Sequence, residues 1–542
     1  MTKHRRAVLL TSAAAALSLF GCSDNTLFNT TPEDSSESES SSDESADEYS
    51  SADLDGVIAH AEQLLADVEI SDNSDTVVSD MEILLNDLDE LYEMFAYTTI
   101  AYYSDWYDEE LEAEYDSCYE AYYVSNEILC YTFSNCYMVD EYSDIFEDYI
   151  YPDYLEYYTS RSMSMNRLIG YSKVDYEVMD ENLDAYYDVV NDSTIKDSTK
   201  NLEAAEIYLD ILSVYDVDIF YDIYNRDFTP EEIISLTDTI IDEIVPVSEA
   251  LGDAIASSSE YADIYYNPVT FDNPFEVIAE YAGRISPEIE EYAQLLLDDE
   301  LYCLTDGSDC YNGSFTVDLP AENSALIYVY DSEDFYNLLT PIHEFGHFYA
   351  SFYDDTTTYL MENNMDVAEI QSQGMEILFM ELYDDIFGDQ AETMRALKLY
   401  DTIDSITSGF AIGEFEYTVL KNIDTMTPES VVELFDSIME KYGYTDVEFY
   451  YITHIFEQPG YYISYGVSAL AALDIWSTAV DSYDAAVEMY ERISQVPINS
   501  GECRFSSALE SCGFDDVLTE DYIKRLSDYI SEYISAYAES IA

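Results

Sequence analysis

The chain has 542 residues, of which 116 are acidic and only 18 are Lys or Arg, so its formal net charge is −98. This charge excludes a nucleic-acid-binding function, because affinity for phosphate depends on cations that displace counterions. It also excludes docking on an anionic membrane through a basic surface. The hydrophobic fraction of 48% still provides for a large core, and the scarcity of Gly (17) and Pro (12) favours helices. We interpret the acidic surplus as a solvated surface rather than as a site for cationic substrates.

Residues 1–21 have the pattern of a secretory signal peptide, in which a basic start precedes the apolar stretch Ala7 to Phe20. Cys22 follows directly and resembles the cleavage site of a bacterial lipoprotein, whose cysteine is lipidated. The alternative is an ordinary signal peptide with an incidental cysteine. Residues 22–54 are acidic and rich in Ser, which predicts a disordered tether. We therefore expect an extracytoplasmic protein that contacts a bacterial membrane only through a lipid on Cys22.

From Leu54 onward, apolar residues recur at three- and four-residue steps, which predicts helices. The exception is Ser314–Tyr330, where β-branched and aromatic runs predict two short strands. After them, Ser332 is predicted to cap a helix that runs towards Phe352. No later apolar run is expected to be long enough to span a bilayer.

The remaining seven cysteines are interpreted as candidates for disulfides, since an exported protein meets an oxidising compartment. Cys303–Cys310 and Cys503–Cys512 each enclose a short segment and are predicted to pair. Cys118, Cys130 and Cys136 leave one thiol over, and the sequence does not indicate which.

The predicted helix before Phe352 contains the run His343-Glu344-Phe345-Gly346-His347. Two imidazoles four residues apart lie on one face of a helix, a spacing at which both can bind one metal ion. Glu344 flanks the pair and can accept a proton from a water on that metal. Zn²⁺ suits such a site, because it accepts imidazole and carboxylate ligands and leaves a position open. Pro341 lies within the helix and implies a kink or a later start.

A third protein ligand is expected on the next helix, which begins near Met365. Glu369 and Glu376 lie two turns apart on one face, among apolar residues where a solvated carboxylate is not expected. A metal ligand and a hydrogen-bond partner for an imidazole would explain them. Glu362 and Asp366 are alternatives, but they lie nearer the loop, where solvated acids are common.

These residues resemble the thimet oligopeptidase and oligoendopeptidase F family of zinc metallopeptidases. The resemblance lies in HEFGH, followed 22 residues later by the run that begins at Glu369, and it spans about Ser314 to Tyr533. It implies that Glu369 is the third zinc ligand. It also implies that Ser324–Tyr330 is an edge strand along which a peptide substrate adds as a further strand. Phe410–Glu416 is similar to a helix of the oligoendopeptidase branch.

The segment from His454 to Gly466 is similar to a late segment of the same family that carries a histidine and tyrosines. By this resemblance, His454, Tyr462 and Tyr465 would donate hydrogen bonds to the oxyanion formed when water attacks a peptide carbonyl. Tyr461 is the alternative to Tyr462, because the spacing does not decide between them. Since the chain holds 55 Tyr, packing is the competing explanation for each.

The resemblance implies a mainly α fold: a two-lobed helical metallopeptidase with a deep substrate channel and a small β-sheet beside the HExxH helix. We predict an N-terminal helical region over 55–200 and a catalytic helical domain over 201–542 with one Zn²⁺. The expected activity is hydrolysis of internal peptide bonds in oligopeptides. One alternative is a catalytically silent peptide-binding surface lipoprotein, and another is a zinc enzyme that acts on a different bond.

Overall fold

The structure is a computed structural model that describes residues 54–70, 74–215, 217, 220–307, 309–332 and 334–541. It is 74% helical with a small three-stranded sheet, which confirms the predicted mainly α fold class. The signal peptide, Cys22 and nearly all of the tether lie outside the described residues. The first predicted helix begins where the pattern indicated, at Leu54.

Twelve helices of the described residues precede the sheet: α1 Leu54–Ile70, α2 Ser74–Ser104, α3 Glu109–Tyr137, α4 Ser143–Phe146, α5 Leu155–Tyr158, α6 Met165–Asn191, α7 Asp197–Leu212, α8 Pro230–Thr239, α9 Val245–Ser257, α10 Ser259–Tyr266, α11 Pro274–Ala282 and α12 Pro287–Asp298. The strands are β1 Tyr302–Thr305, β2 Phe315–Leu319 and β3 Ser324–Tyr330. The helices that follow are α13 Tyr336–Ser351, α14 Met365–Phe379, α15 Tyr383–Phe387, α16 Ala391–Lys421, α17 Pro428–Lys441, α18 His454–Glu457, α19 Ile463–Asp481, α20 Tyr483–Ser494, α21 Phe505–Cys512 and α22 Glu520–Ser540.

The buried hydrophobic residues of the described structure form two cores. The N-terminal core contains buried residues from Val57 to Leu168 together with residues of the sheet, and the C-terminal core extends from Tyr186 to Tyr537. Strand β3 contributes to both, because alternate side chains of a strand point to opposite faces. Ile327 and Val329 lie in the C-terminal core, whereas Tyr328 lies in the N-terminal core. The sheet is therefore packed between the two cores.

The strand order is β1-β3-β2, so β3 is the central strand. It pairs in parallel with β1, from Tyr302 opposite Ile327, and antiparallel with β2, from Phe315 opposite Tyr328. The prediction that Ser324–Tyr330 is an edge strand was therefore wrong. The cause is β1, a strand of only four half-buried residues whose short pattern was not recognised in the sequence.

Helix α13 carries the HEFGH run and begins at Tyr336, later than the predicted cap. Ser332 donates to Asp334 Oδ1, and the same oxygen accepts the N–H of Tyr336, the first helical residue, at 2.8 Å. Pro341 lies inside α13 and does not delay its start. Proline removes one N–H donor, and the rest of the helix holds because its residues are buried in the core.

Helices α13 and α14 approach each other closely at Gly346. A Cβ atom there would lie 2.7 Å from the Gln371 carbonyl oxygen and 2.7 Å from the Ser372 Cα. Glycine is therefore required between His343 and His347, because any larger residue would force the two helices apart. This contact brings the histidines of α13 next to the carboxylates of α14.

Helix α19 is long and apolar enough to cross a membrane by length and composition, contrary to the sequence expectation. Its most apolar window is 78% buried within the described structure, where it packs against α14 and α16. Its apolar character is therefore accounted for by a place in the C-terminal core.

The seven cysteines of the described residues are free thiols, so neither predicted disulfide is formed. Cys503 and Cys512 are separated by helix α21, which keeps their Cα atoms roughly 10 Å apart, beyond the reach of a disulfide. The sulfur of Cys303 lies 3.3 Å from the Ser104 hydroxyl instead.

Candidate metal centre

His343, His347 and Glu369 meet at the contact between α13 and α14. All three are buried, and one ligand atom from each lies within 4.8 Å of the others. Glu369 Oε2 lies 3.5 Å from His343 Nε2. Two ligands of one tetrahedral Zn²⁺ lie roughly 3.4 Å apart, since each is ~2.1 Å from the ion. The side chains predicted from the sequence as metal ligands are thus brought together.

A chain of charged groups supports the Nδ1 side of the His343 ring. Its Nδ1 lies 3.0 Å from Glu376 Oε1, and the other oxygen of Glu376 lies 2.6 Å from the ammonium of Lys398. Lys398 is 1% exposed and also pairs with Asp401 Oδ2 at 3.0 Å. Glu376 thereby fixes the imidazole with Nδ1–H towards the carboxylate and Nε2 towards the centre. Glu376 thus makes the contact with an imidazole that its predicted role requires.

The two histidines differ in their pKa values. Burial opposes a charge on His343, but the neighbouring carboxylates of Glu369 and Glu376 outweigh burial and raise its pKa to about 10. Burial lowers the pKa of His347 to about 4. His347 is therefore a neutral imidazole, whereas His343 gives up a proton when a cation takes its place.

Glu344 lies on the same helix and projects towards β2. Its Oε2 accepts a hydrogen bond of 2.8 Å from the Thr316 hydroxyl, and its Oε1 is buried with no hydrogen-bond partner. Burial raises the pKa of Glu344 to about 8. A carboxylate with such a pKa and one free oxygen is suited to accept and return a proton near neutral pH.

Neutral hydroxyl groups hold Glu369. Tyr461 donates to Glu369 Oε1 at 2.6 Å, and Ser372 donates to Oε2 at 3.2 Å. Burial opposes ionisation of Glu369, but His343 and His347 outweigh it and lower its pKa to about 2. The carboxylate is therefore ionised and oriented.

The late segment reaches the centre through Tyr461, the alternative that the sequence analysis had left open. The rings of Tyr461 and Tyr465 lie 5.0 Å apart, and the Tyr465 hydroxyl lies 3.4 Å from His454 Nε2. Tyr462 packs edge-on against His454, with ring centroids 5.9 Å apart. His454, Tyr462 and Tyr465 thus form one cluster, which Tyr461 connects to Glu369.

The residues present fit a zinc ion. His343 Nε2 is buried and has no hydrogen-bond partner, although a buried polar atom normally has one. Two imidazoles and one carboxylate form a donor set typical of catalytic Zn²⁺, which keeps one position open. A cation between these atoms would satisfy the orphaned nitrogen.

Several residues that shape the centre were missed in the sequence analysis. Thr316, Lys398 and Arg226 come from distant segments, and periodicity does not indicate such partners. Asp366 was expected to be a solvated acid, but it is fully buried and paired with Arg226, with Oδ2 3.0 Å from Nε. It lies outside the candidate ligand set because this ion pair engages it.

No protein-family sequence model matches this chain, and no curated protein is similar to it in sequence. Solved structures do match. A protein named as an oligoendopeptidase F from Bacillus anthracis aligns with a TM-score of 0.69 and 16% identity, over 90% of this chain and 97% of that one. PZ peptidase A with an inhibitor aligns with a TM-score of 0.66 and 15% identity, over 91% of this chain and 99% of that one.

A further protein named as an oligoendopeptidase F aligns with a TM-score of 0.65 and 16% identity, over 90% of this chain and 98% of that one. The chain has the fold of these proteins. The likeness extends over both lobes, including the helices upstream of Ser314 for which the sequence resemblance gave only helical character.

Proposed function

We propose that the chain is a zinc-dependent peptidase that hydrolyses internal bonds of oligopeptides. The observation that carries this proposal is the cluster of His343, His347 and Glu369, with the free, buried Oε1 of Glu344 on the helix that supplies both imidazoles. The shared fold with proteins named as peptidases supports it independently.

His343 Nε2, an imidazole nitrogen of His347 and Glu369 Oε2 would hold the zinc ion. When bound, zinc supplies Lewis acidity, which polarises a carbonyl and lowers the pKa of water. Glu376 keeps the ring of His343 in the tautomer that presents Nε2.

Glu344 is the proposed general base. Oε1 accepts the proton of the attacking water and later returns it to the leaving amine, while Thr316 fixes the orientation through Oε2. The raised pKa of about 8 keeps both transfers feasible near neutral pH.

His454 and Tyr465 are the proposed donors to the oxyanion. Neutral donors fixed in place stabilise the negative charge that develops on the carbonyl oxygen. Tyr462 lies in the same cluster and is the further candidate, whereas the hydroxyl of Tyr461 is already engaged by Glu369.

The peptide substrate would add to β2. This strand is at one side of the sheet, and its Thr316 contacts Glu344, so β2 runs directly beside the proposed base. A peptide in extended conformation pairs with the main chain of such a strand, which gives affinity without strict sequence selection.

Replacing Glu344 with Gln tests the function. We expect peptide cleavage to fall about 10²- to 10⁴-fold while zinc stays near one ion per chain. The control is Glu381→Gln, which changes an exposed glutamate. Cleavage of a mixed peptide pool is measured by mass spectrometry, with and without a chelator. Unchanged turnover in Glu344→Gln would remove Glu344 from its role, and zinc-loaded parent protein that binds peptides without cleaving any would favour the silent peptide-binding alternative.

We also propose that a lipid on Cys22 anchors the protein outside the cytoplasm. The support is the apolar stretch before Cys22 and the acidic, Ser-rich tether after it. In the native host, the protein should fractionate with membranes, and Cys22→Ala should release it or leave its signal peptide uncleaved. An unchanged membrane fraction and mature mass in Cys22→Ala would contradict the anchor.

A further inference from the structure

Arg226 is a fully buried cation that the proposed chemistry does not use. It lies between Tyr224 and α8, upstream of the segment whose sequence resembles the peptidase family. Its Nε and Nη2 donate to the carboxylate of Asp366 at 3.0–3.2 Å, and both side chains are 0% exposed. Asp366 lies on α14, one turn before Glu369. One side of the guanidinium is therefore fixed to the helix that carries the third proposed ligand.

The other side of Arg226 holds the turn that leads into α19. Nη1 donates to the Gly460 carbonyl at 2.8 Å, and Nη2 donates to the Ser464 hydroxyl at 2.8 Å. Ser464 in turn donates to Asp366 Oδ1 at 2.6 Å, which closes a network of three side chains. Residues 459–464, here called the tyrosine turn, are thus tied to α14 both through Arg226 and directly through Ser464.

The backbone of the tyrosine turn has a left-handed conformation at Gly460 and is held by hydrogen bonds on both sides. Gly460 has φ of +90°, and a Cβ there would lie 3.0 Å from the ring of Phe220. Its N–H donates to Glu416 Oε1 at 2.8 Å, while its carbonyl accepts from Arg226. The preceding carbonyl, of Pro459, accepts from Tyr224. Both the N–H and the carbonyl of Gly460 are therefore hydrogen-bonded to side chains from other segments.

Aromatic rings surround the guanidinium. Its Cζ lies 4.6 Å from the ring centroids of Tyr221 and Tyr224, and 5.7 Å from that of Phe228. These rings exclude water and match a planar cation. An ammonium group provides neither this planar shape nor donors in three fixed directions, so lysine does not reproduce the contacts.

We propose that Arg226 is a positioning residue for the metal centre. By fixing the tyrosine turn against α14, it places the Tyr461 hydroxyl 2.6 Å from Glu369 Oε1 and so fixes the carboxylate that faces His343. Arg226 donates its hydrogen bonds to Asp366, Gly460 and Ser464 rather than to a proposed ligand, so it acts through the turn. The inference deepens the proposed function, but its central measurement is metal affinity, which does not require catalysis.

The test replaces Arg226 with Lys, which keeps a positive charge beside Asp366 and so avoids a bare buried carboxylate. We expect the zinc dissociation constant, measured by competition with a chelator, to rise about 10- to 100-fold, as for other groups that orient ligands. The Co²⁺-substituted protein should show a shifted visible absorption spectrum. Arg395→Lys is the control, since Arg395 likewise binds carboxylate and carbonyl groups, namely those of Asp384, Glu392 and Met380, all outside the centre. It should leave both quantities unchanged.

A double-mutant cycle with Tyr461→Phe tests the route of the effect. If Arg226 acts through Tyr461, the double variant should bind zinc about as weakly as the weaker of the two single variants. A zinc dissociation constant of the double variant that rose by the product of the two single-variant factors would overturn the proposal. So would Arg226→Lys with lowered thermal stability but the zinc affinity and Co²⁺ spectrum of the parent, which is the result for a purely structural ion pair.

Kinetic measurements separate the proposed role of Arg226 from the proposed peptidase function. On zinc-saturated protein, Arg226→Lys should lower kcat with little change in KM, because the binding strand β2 is untouched. If the parent protein cleaves no peptide, the proposed function fails, whereas the zinc affinity and the cycle still decide the role of Arg226.

Discussion

The two sides of the metal centre are supported in opposite ways. On the α13 side, His343 is held by a chain of full charges, in which Glu376 bridges the imidazole and the buried ammonium of Lys398. On the α14 side, Glu369 is held by the neutral hydroxyls of Tyr461 and Ser372. The difference follows from the charge of each candidate ligand. A metal-bound imidazole becomes a better ligand beside an anion, whereas an anionic carboxylate needs hydrogen-bond donors that orient it without neutralising its charge.

This comparison predicts where substitutions cost metal binding and where they cost stability. A charged support in the core cannot lose one member without leaving another charge unpaired. Where neutral groups hold a ligand, the loss of one hydroxyl leaves no charge unpaired and only orients the ligand less firmly.

The largest effect is expected for a ligand itself. Glu369→Ala removes the only carboxylate of the candidate site, so zinc affinity should fall by more than the 10- to 100-fold that orienting groups contribute. Equilibrium dialysis against a zinc buffer measures the loss, and Glu362→Ala, the rival carboxylate nearer the loop, is the control. If Glu362→Ala lost zinc and Glu369→Ala kept it, the assignment of ligands would be wrong.

Lys398→Met should cause the next largest effect, which is a loss of stability. Glu376 and Asp401 would remain buried without their cation, which costs about 3–5 kcal/mol in the free energy of unfolding. Urea denaturation measures it, with Lys421→Met as the exposed control. A loss as small as that of the control would show that the charged chain behind His343 contributes little.

The sequence predicted the parts of the centre that lie close together along the chain. The spacing of His343 and His347, the run that begins at Glu369 and the partner role of Glu376 all depend on the period of a single helix. Helical periodicity is local, so these residues could be placed before any tertiary contact was known.

The supports that come from elsewhere could not be predicted in this way. Lys398 lies in the middle of α16 and Arg226 lies between helices, and no local pattern links either of them to α14. The position of β3 depends equally on a distant partner, because β1 makes it a central strand. Tyr461 and Tyr462 are adjacent in the sequence, and only the tertiary structure shows that Tyr461, directly after the left-handed backbone at Gly460, meets Glu369.

Tyr461→Phe tests the neutral side of the comparison. The loss of one hydrogen bond to a charged group is worth about 1.5–3 kcal/mol, so zinc affinity should fall about 10- to 100-fold while the fold remains intact. Tyr462→Phe is the matched control, since its neighbouring ring packs against His454 rather than Glu369. Equal losses of zinc affinity in the two variants would contradict the assignment.

The smallest effect concerns Glu416, a second buried carboxylate near the tyrosine turn. Like Glu369 it accepts from neutral donors, with the Gly460 N–H at 2.8 Å, but its Oε2 has no hydrogen-bond partner. Burial raises the pKa of Glu416 to about 8, whereas the histidines lower that of Glu369 to about 2. Burial therefore outweighs both the neutral donors and the attraction of Arg226 at Glu416, whereas the two histidines outweigh burial at Glu369.

The stability of the protein should reflect this difference between the two carboxylates. Because the folded-state pKa of Glu416 exceeds the unfolded value of 4.5, the folded state binds more protons between pH 4.5 and 8. The contribution of Glu416 is therefore complete below about pH 4.5 and is lost as the pH rises towards 8. Glu416→Gln keeps an acceptor for Gly460, removes this loss, and should be more stable than the parent at pH 8. Urea denaturation at pH 5 and pH 8 measures the gain, with the exposed Glu488→Gln as control. If Glu416→Gln were less stable than the parent at pH 8, Glu416 would be ionised and stabilising there.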